Sequence, residues 1–244
     1  MNNLLLEYSQ QLPLFIIVSF IGSLISTLIG FGGGIILVVL LSGTIPTKEL
    51  IAVVGLVQLA SLLSRCYLTR QQINLRLWRH FMLGAVPGIL IAALLFNHIS
   101  NATLSLILGA FLIFSAWKPQ GLPVDRIPAG VPLLGGMMSF VSFFVGAPGP
   151  SIASMLQRLK LARQPLLATL AACLLGQTLF RTLTFYSVGV PLQQWLPICA
   201  LMIIAGVVGS LVGYRLSNRI SDRPLLIAVR LAMAGAGLNL LINA

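Results

Sequence analysis

A chain of 244 residues in which 58% are hydrophobic and only 8% charged has too little polar surface to cover a soluble globule of its size. Its mean hydropathy of +1.02 points to a bilayer. The net charge of +11 does not point to nucleic acid, because the basic residues fall mostly in short stretches between apolar runs, where they orient a chain in a membrane.

Barrel strands would alternate apolar and polar residues in units of about ten, a pattern absent here, so the expectation is an all-α integral membrane protein. Glu7 and no basic residue precede the first apolar run, so a leader's charged start is missing and the first segment is expected to stay in the mature protein. That run, about residues 12–42, is interrupted by Gly30, Phe31, Gly32, Gly33 and Gly34. Four glycines in five positions predict a broken helix with bared amides. The arm from Gly33 to Leu41 reaches about 13 Å, under half of the roughly 30 Å hydrocarbon core. The segment therefore either crosses once as an interrupted helix or enters and returns as a re-entrant hairpin.

Helices are expected next at about 50–69, 80–96 and 102–117. Arg70, Arg76 and Arg79 put the first intervening loop inside, and Asn97 and His98 leave the second outside. Lys118 and Arg126 beside Asp125 return the chain inside, and Arg158, Lys160 and Arg163 hold it there. The fifth segment, about 127–157, thus begins and ends on one side, as a hairpin whose tip is a second break at Gly146, Ala147, Pro148, Gly149 and Pro150. Helices at about 165–187, 192–216 and 225–242 complete the chain, with the uncharged stretch from Tyr186 to Trp195 outside and Arg215, Arg219 and Arg223 inside. If the first segment is a hairpin too, both termini lie outside.

The second break follows the first by 116 residues, and at that offset Ser23 pairs with Ser139, Ser26 with Ser142, Gly30 with Gly146, Gly33 with Gly149, Ala52 with Ala168 and Arg65 with Arg181. The fold expected is two inverted-topology repeats, residues 1–122 and 123–244, each a re-entrant broken-helix hairpin plus three transmembrane helices. Such a repeat belongs to secondary transporters with a site near the midplane.

Each short arm starts at its break. The amino ends at Gly32, Gly33 and Gly34 in one half and at Gly149, Pro150 and Ser151 in the other would face each other as an anion site. Pro150 suits the first helical position and Ser151 adds a hydroxyl donor. The plainer alternative is that the glycines only let helices pack closely. Arg65 either meets the anion or snorkels to the inner face, whereas Arg181 sits toward the outer face, where basic residues are disfavoured. Gln58 and Gln177 either donate to an oxyanion or bond a neighbouring helix, and Ser23, Ser26, Ser139 and Ser142 before the breaks either line the site or, the favoured reading, cap freed carbonyls. Gly84 with Gly88, Ala205 with Gly209 and Gly213, and Ala228 with Ala232 and Ala236 read as packing faces. Cys66, Cys173 and Cys199 are isolated, so they read as small fillers, and neither metal nor cofactor is expected. Glu7, Glu49, Asp125 and Asp222, the only acids, stand at segment ends, which leaves no carboxylate relay for protons. A serine hydrolase elbow at Gly149, Pro150 and Ser151 is the enzyme alternative, but His80 and His98 sit at segment ends and supply no base.

The run Gly30, Phe31, Gly32, Gly33, Gly34 opening a short arm, Ala52 in the following helix, the pair Gly84 and Gly88, and the glycine-bearing break from Gly146 together resemble the TauE/SafE family of membrane proteins. The chain departs from that pattern where Pro148 and Pro150 stand in place of glycines. The resemblance implies an exporter of sulfite or an organosulfonate in a bacterial cytoplasmic (inner) membrane, with another small anion or carboxylate as the alternative cargo. The implied partners are that anion, the lipid bilayer and, as a candidate, a second copy of the chain.

Overall fold

The computed structural model describes residues 8–117, 130–146, 161–217 and 222–242, together with Gly149, Ile152, Ala153, Leu156 and Leu159. Among the described residues there is no strand. The helices are α1 (Leu12–Ile29), α2 (Gly33–Leu41), α3 (Thr47–Leu68), α4 (Leu75–Phe96), α5 (Asn101–Trp117), α6 (Gly130–Val145), α7 (Arg163–Ser187), α8 (Leu196–Leu216) and α9 (Asp222–Ile242). Six of them, α1, α3, α4, α7, α8 and α9, are long and apolar enough to cross a membrane, while α5 and α6 are shorter apolar helices. A 3-10 turn, Leu192–Trp195, leads into α8 where the expectation began that helix at 192.

Local chemistry sets the ends. Pro13 occupies the first turn of α1, where its missing N–H costs nothing. α4 begins at Leu75, ahead of the expected start near 80, because the Asn74 side chain accepts the Leu77 N–H at 3.0 Å and caps the helix. Arg76 and Arg79, expected in a loop, are therefore in the opening turns of α4.

The first break is a left-handed corner. α1 stops at Gly30 with φ +91°, its N–H bonded to the Ser26 carbonyl at 2.9 Å, and Gly32 at φ +102° precedes α2. No residue with a Cβ takes such angles without strain. α2 runs back along α1: a Cβ on Gly33 would stand 2.7 Å from the Gly22 carbonyl, and the Tyr8 hydroxyl donates to the Thr44 carbonyl at 3.3 Å. α6 ends in the same way, at Gly146 with φ +78° and its N–H 2.8 Å from the Ser142 carbonyl. Beyond it Gly149, Ile152, Ala153 and Leu156 have helical backbone.

α3 and α7 pack on one another, α8 covers α3, and α4 covers α7. α1 lies along α8, α4 along α6, and α5 along α9. These last crossings are close. A Cβ on Gly88 would lie 2.2 Å from the Gly136 carbonyl, and one on Gly209 would lie 2.3 Å from the Phe20 carbonyl. Both glycines stand on the faces expected to pack. On α9 Ala236 is buried and Ala228 is exposed, and the close approach is at Gly237, where an added Cβ would stand 2.9 Å from the Gly109 carbonyl. Phe31, in the first break, packs against both major groups of buried apolar side chains.

Candidate functional site

Two arginines are buried at the two corners. Arg65, on α3, is 5% exposed, and it donates through one Nη to the Ser26 hydroxyl at 2.9 Å and through the other to the Gly30 carbonyl at 3.0 Å. Arg181, on α7, is 1% exposed, and one Nη donates to both the Ser142 carbonyl at 2.9 Å and the Ser142 hydroxyl at 3.1 Å. Arg65 is separated from Ser26 by 39 residues, and Arg181 from Ser142 by the same 39. Each guanidinium thus sits on the carboxyl end of the helix that precedes a break, where the helix dipole favours a cation by about 0.3–2 kcal/mol. Ser26 and Ser142, expected to cap carbonyls, serve instead as acceptors for the arginines.

That docking leaves electrostatic work undone. Burying a charge costs several kcal/mol even after the surroundings relax, more than a dipole contact returns. These hydrogen bonds of both arginines go to hydroxyl and carbonyl oxygens, which carry no formal charge. Arg181 Nε is buried with no hydrogen-bond partner. Nearby polar atoms share that condition. Thr182 Oγ1 has none and, like an Arg181 Nη, lies over the face of Gly55, where an added Cβ would stand 3.1 Å and 3.2 Å from the two. Ser139 Oγ, one turn before Ser142 on α6, is also unpartnered.

The expected glutamines divide. Gln177 donates weakly to the Met138 carbonyl at 3.5 Å, bonding a neighbouring helix, while its Oε1 is unpartnered. Gln58 Nε2 is unpartnered and stands against Gly34, where a Cβ would come within 1.9 Å of it. Gly34 is in the opening turn of α2, a terminus that no side chain caps. The site glycines therefore have separate surroundings: Gly33 meets the Gly22 backbone, Gly34 cradles an amide, and Gly32 makes the left-handed turn with Val229 opposite it. In the second half Gly149 lies against Phe31, whose Cβ would be 2.7 Å from an added methyl, so the two breaks meet. Pro150 and Ser151 lie outside the described residues.

A narrow cleft of about 30 Å³, room for one or two water molecules, reaches Arg65 past Thr27, Thr69, Arg163 and Tyr214. It opens toward the basic end of the bundle, the end that carries Arg70, Arg163 and Arg215. Thr182 and Gly55 were not among the residues that sequence reasoning singled out, and Ser142 was favoured as a carbonyl cap over a lining residue. For Ser142 a signal was available, since Ser142 and Arg181 keep the same spacing as Ser26 and Arg65.

Long apolar helices, two of them broken at left-handed glycines, with buried cations at both corners, are the build of a multi-pass membrane transporter. Residues 14–240 match the family described as Sulfite exporter TauE/SafE, and the chain belongs to that family. It is a family of membrane transporters and not of enzymes. Neither a curated protein nor a solved structure matches the chain.

Proposed function

We propose that this protein carries a small sulfur oxyanion, sulfite or an organosulfonate, outward across a bacterial cytoplasmic membrane. The observation that carries the reading is the pair of buried guanidinium groups, one at each helix break, that donate to uncharged hydroxyl and carbonyl oxygens. A charge held out of water in this way is neutralised by an anion, and the planar fork of an arginine suits the paired oxygens of a sulfite or sulfonate group. The uncapped amino end of α2 and the free Nε2 of Gln58 add donors beside the first break.

In this reading the two halves are inverted repeats, each opening with a re-entrant hairpin. The like bonds at Gly30 with Ser26 and Arg65, and at Gly146 with Ser142 and Arg181, support it. The basic end faces the cytoplasm and both termini face the periplasm, a placement that reporters fused at Met1 and Ala244 would read. Gly32, Gly33, Gly34, Gly149, Pro150 and Ser151 contribute the arm ends, and Gln177 orients α6 against α7.

Flux of labelled sulfite from proteoliposomes tests the reading. Arg65→Ala and Arg181→Ala are each expected to lower export at least roughly tenfold, the loss of one charge-assisted contact of about 1.5–3 kcal/mol, while the protein still inserts. Wild-type rates in both variants would refute it. Sulfate, acetate and a C2 sulfonate in the same vesicles separate sulfur oxyanions from carboxylates as cargo.

A further inference from the structure

The cleft that reaches Arg65 has a counterpart in the other half of the molecule, and that counterpart is shut. Moving each of its residues by the same 116 positions carries Arg65 to Arg181, Thr27 to Phe143 and Thr69 to Phe185. The α7 side of the cleft moves onto α3: Ala171 becomes Gly55 and Gln164 becomes Lys48. Gly55 does lie against Arg181, so the correspondence holds in space as well as in sequence. Ser217, which follows α8 and lines the Arg65 cleft, moves to Asn101, and the last residue of the helix before it, Phe96 at the end of α4, packs beside Phe143 and Phe185.

Where the first cleft has two threonines, the second thus has two phenylalanines, and a third, Phe96, closes on them. The Phe143 and Phe185 rings are 4.5 Å apart between centroids, Phe96 is 5.1 Å from Phe185, and Phe96 is 5.3 Å from Phe143. All three are at most 1% exposed. Lys48 Nζ stands 5.4 Å from the centre of the Phe96 ring, on the side away from the basic end.

We propose that Phe96, Phe143 and Phe185 are the gate of a second cleft, which leads to Arg181 from the end opposite the basic one. When the three rings part, Arg181 and Gly55 line the opened space as Arg65 and Ala171 line the first, with Thr182 beside them. The unpartnered Arg181 Nε and Thr182 hydroxyl then face the departing oxyanion, and Lys48 waits at the mouth as a cation for it. Hydrophobic rings suit the closed state because they exclude water from a buried charge, and their mutual contacts are lost on opening. This inference rests on the transport reading above, since a gate has meaning only where an anion passes.

The test reads access without any anion, so its failure is distinct from a failure of sulfite flux. In a protein carrying Cys66→Ala, Cys173→Ala and Cys199→Ala, a Thr182→Cys thiol is exposed to a membrane-impermeant cationic methanethiosulfonate from either face of oriented vesicles. With the three phenylalanines in place, labelling from the face opposite the basic end is slow. Phe143→Thr with Phe185→Thr is expected to speed it roughly tenfold or more, the factor by which a minor open state becomes the major one. Labelling from the basic end should stay slow, which separates an opened gate from a loosened fold. Phe143→Leu with Phe185→Leu, which keeps apolar bulk, should remain slow from both faces. Unchanged labelling in the threonine variant, equal acceleration from both faces, or fast labelling in the leucine variant would each overturn the gate.

Discussion

Gly33 and Gly34 are neighbours in the opening turn of α2, yet a methyl group meets different obstacles at each. On Gly33 it would stand 2.7 Å from the Gly22 carbonyl, part of a backbone that α1 and α8 hold in place. On Gly34 it would strike the Gln58 amide, at the free end of a flexible side chain. Gly33→Ala is therefore expected to cost stability, about 1–3 kcal/mol in thermal unfolding, the usual range for overpacking. Gly34→Ala is expected to leave unfolding nearly unchanged and to lower sulfite export by swinging Gln58 away from the arm. Gln58→Ala should match that loss in export, and the double variant should be no worse than either single one, because both remove the same amide. Additive losses would show that Gly34 acts on something other than Gln58. The glycine cluster itself was legible in the sequence because its density has no use in a straight helix. That two adjacent glycines face a backbone and a side chain respectively was not, since nothing local to the cluster reports which distant residue lies opposite. Arg65 and Arg181 were legible for a related reason: a cation deep in an apolar run is conspicuous. Their docking on Gly30 and Ser142 depends on how α3 and α7 lie against the hairpins, which no single stretch encodes.

Pairs of elements meet through small residues, and the cost of enlarging one depends on what faces it. A Cβ on Gly88 would lie 2.2 Å from the Gly136 carbonyl where α4 crosses α6, whereas one on Gly235 of α9 meets nothing within 4 Å. Gly88→Ala should force the helices apart and lower stability by about 1–3 kcal/mol, the usual range for overpacking. Gly235→Ala should raise it by up to about 1 kcal/mol, because alanine forms helix better than glycine at an open position. Thermal unfolding in one detergent compares the two, and a Gly88→Ala protein as stable as the wild type would mean that this crossing tolerates separation. Spacing of small residues foretold the faces of α4 and α8, since glycines four apart have few other uses in an apolar helix. On α9 it foretold only part of the face: Ala236 is buried, Ala228 is exposed, and the close approach is at Gly237. Alanine is common on any helix face, so its spacing carries less information. The three gate phenylalanines were silent for the same reason, being ordinary apolar residues until Phe96, Phe143 and Phe185 meet from α4, α6 and α7.

The whole molecule carries eleven more basic than acidic residues, 15 against 4, and none of its four acids interrupts an apolar run. Glu49 shows what such an acid does here: its Oε2 accepts the Trp195 Nε1–H at 2.6 Å and the Gln194 Nε2–H at 3.2 Å, tying the start of α3 to the turn before α8. It is a brace between elements, and a glutamine in its place keeps a carbonyl acceptor for the same donors. On the transport reading, a chain with no acid inside an apolar run offers no carboxylate relay for protons, so outward movement of an anion is expected to be driven by the membrane potential. One negative charge leaving a compartment held 100 mV negative gains roughly 2.3 kcal/mol, about a fiftyfold shift in the equilibrium ratio. Sulfite efflux from vesicles clamped by a potassium gradient and valinomycin should therefore rise steeply as the interior is made negative. With the potential clamped at zero, a pH gradient of one unit should change it little. Glu49→Gln should preserve the voltage dependence. If efflux instead follows the pH gradient at zero potential, the anion moves together with a proton, and the arginines must then bind a protonated cargo.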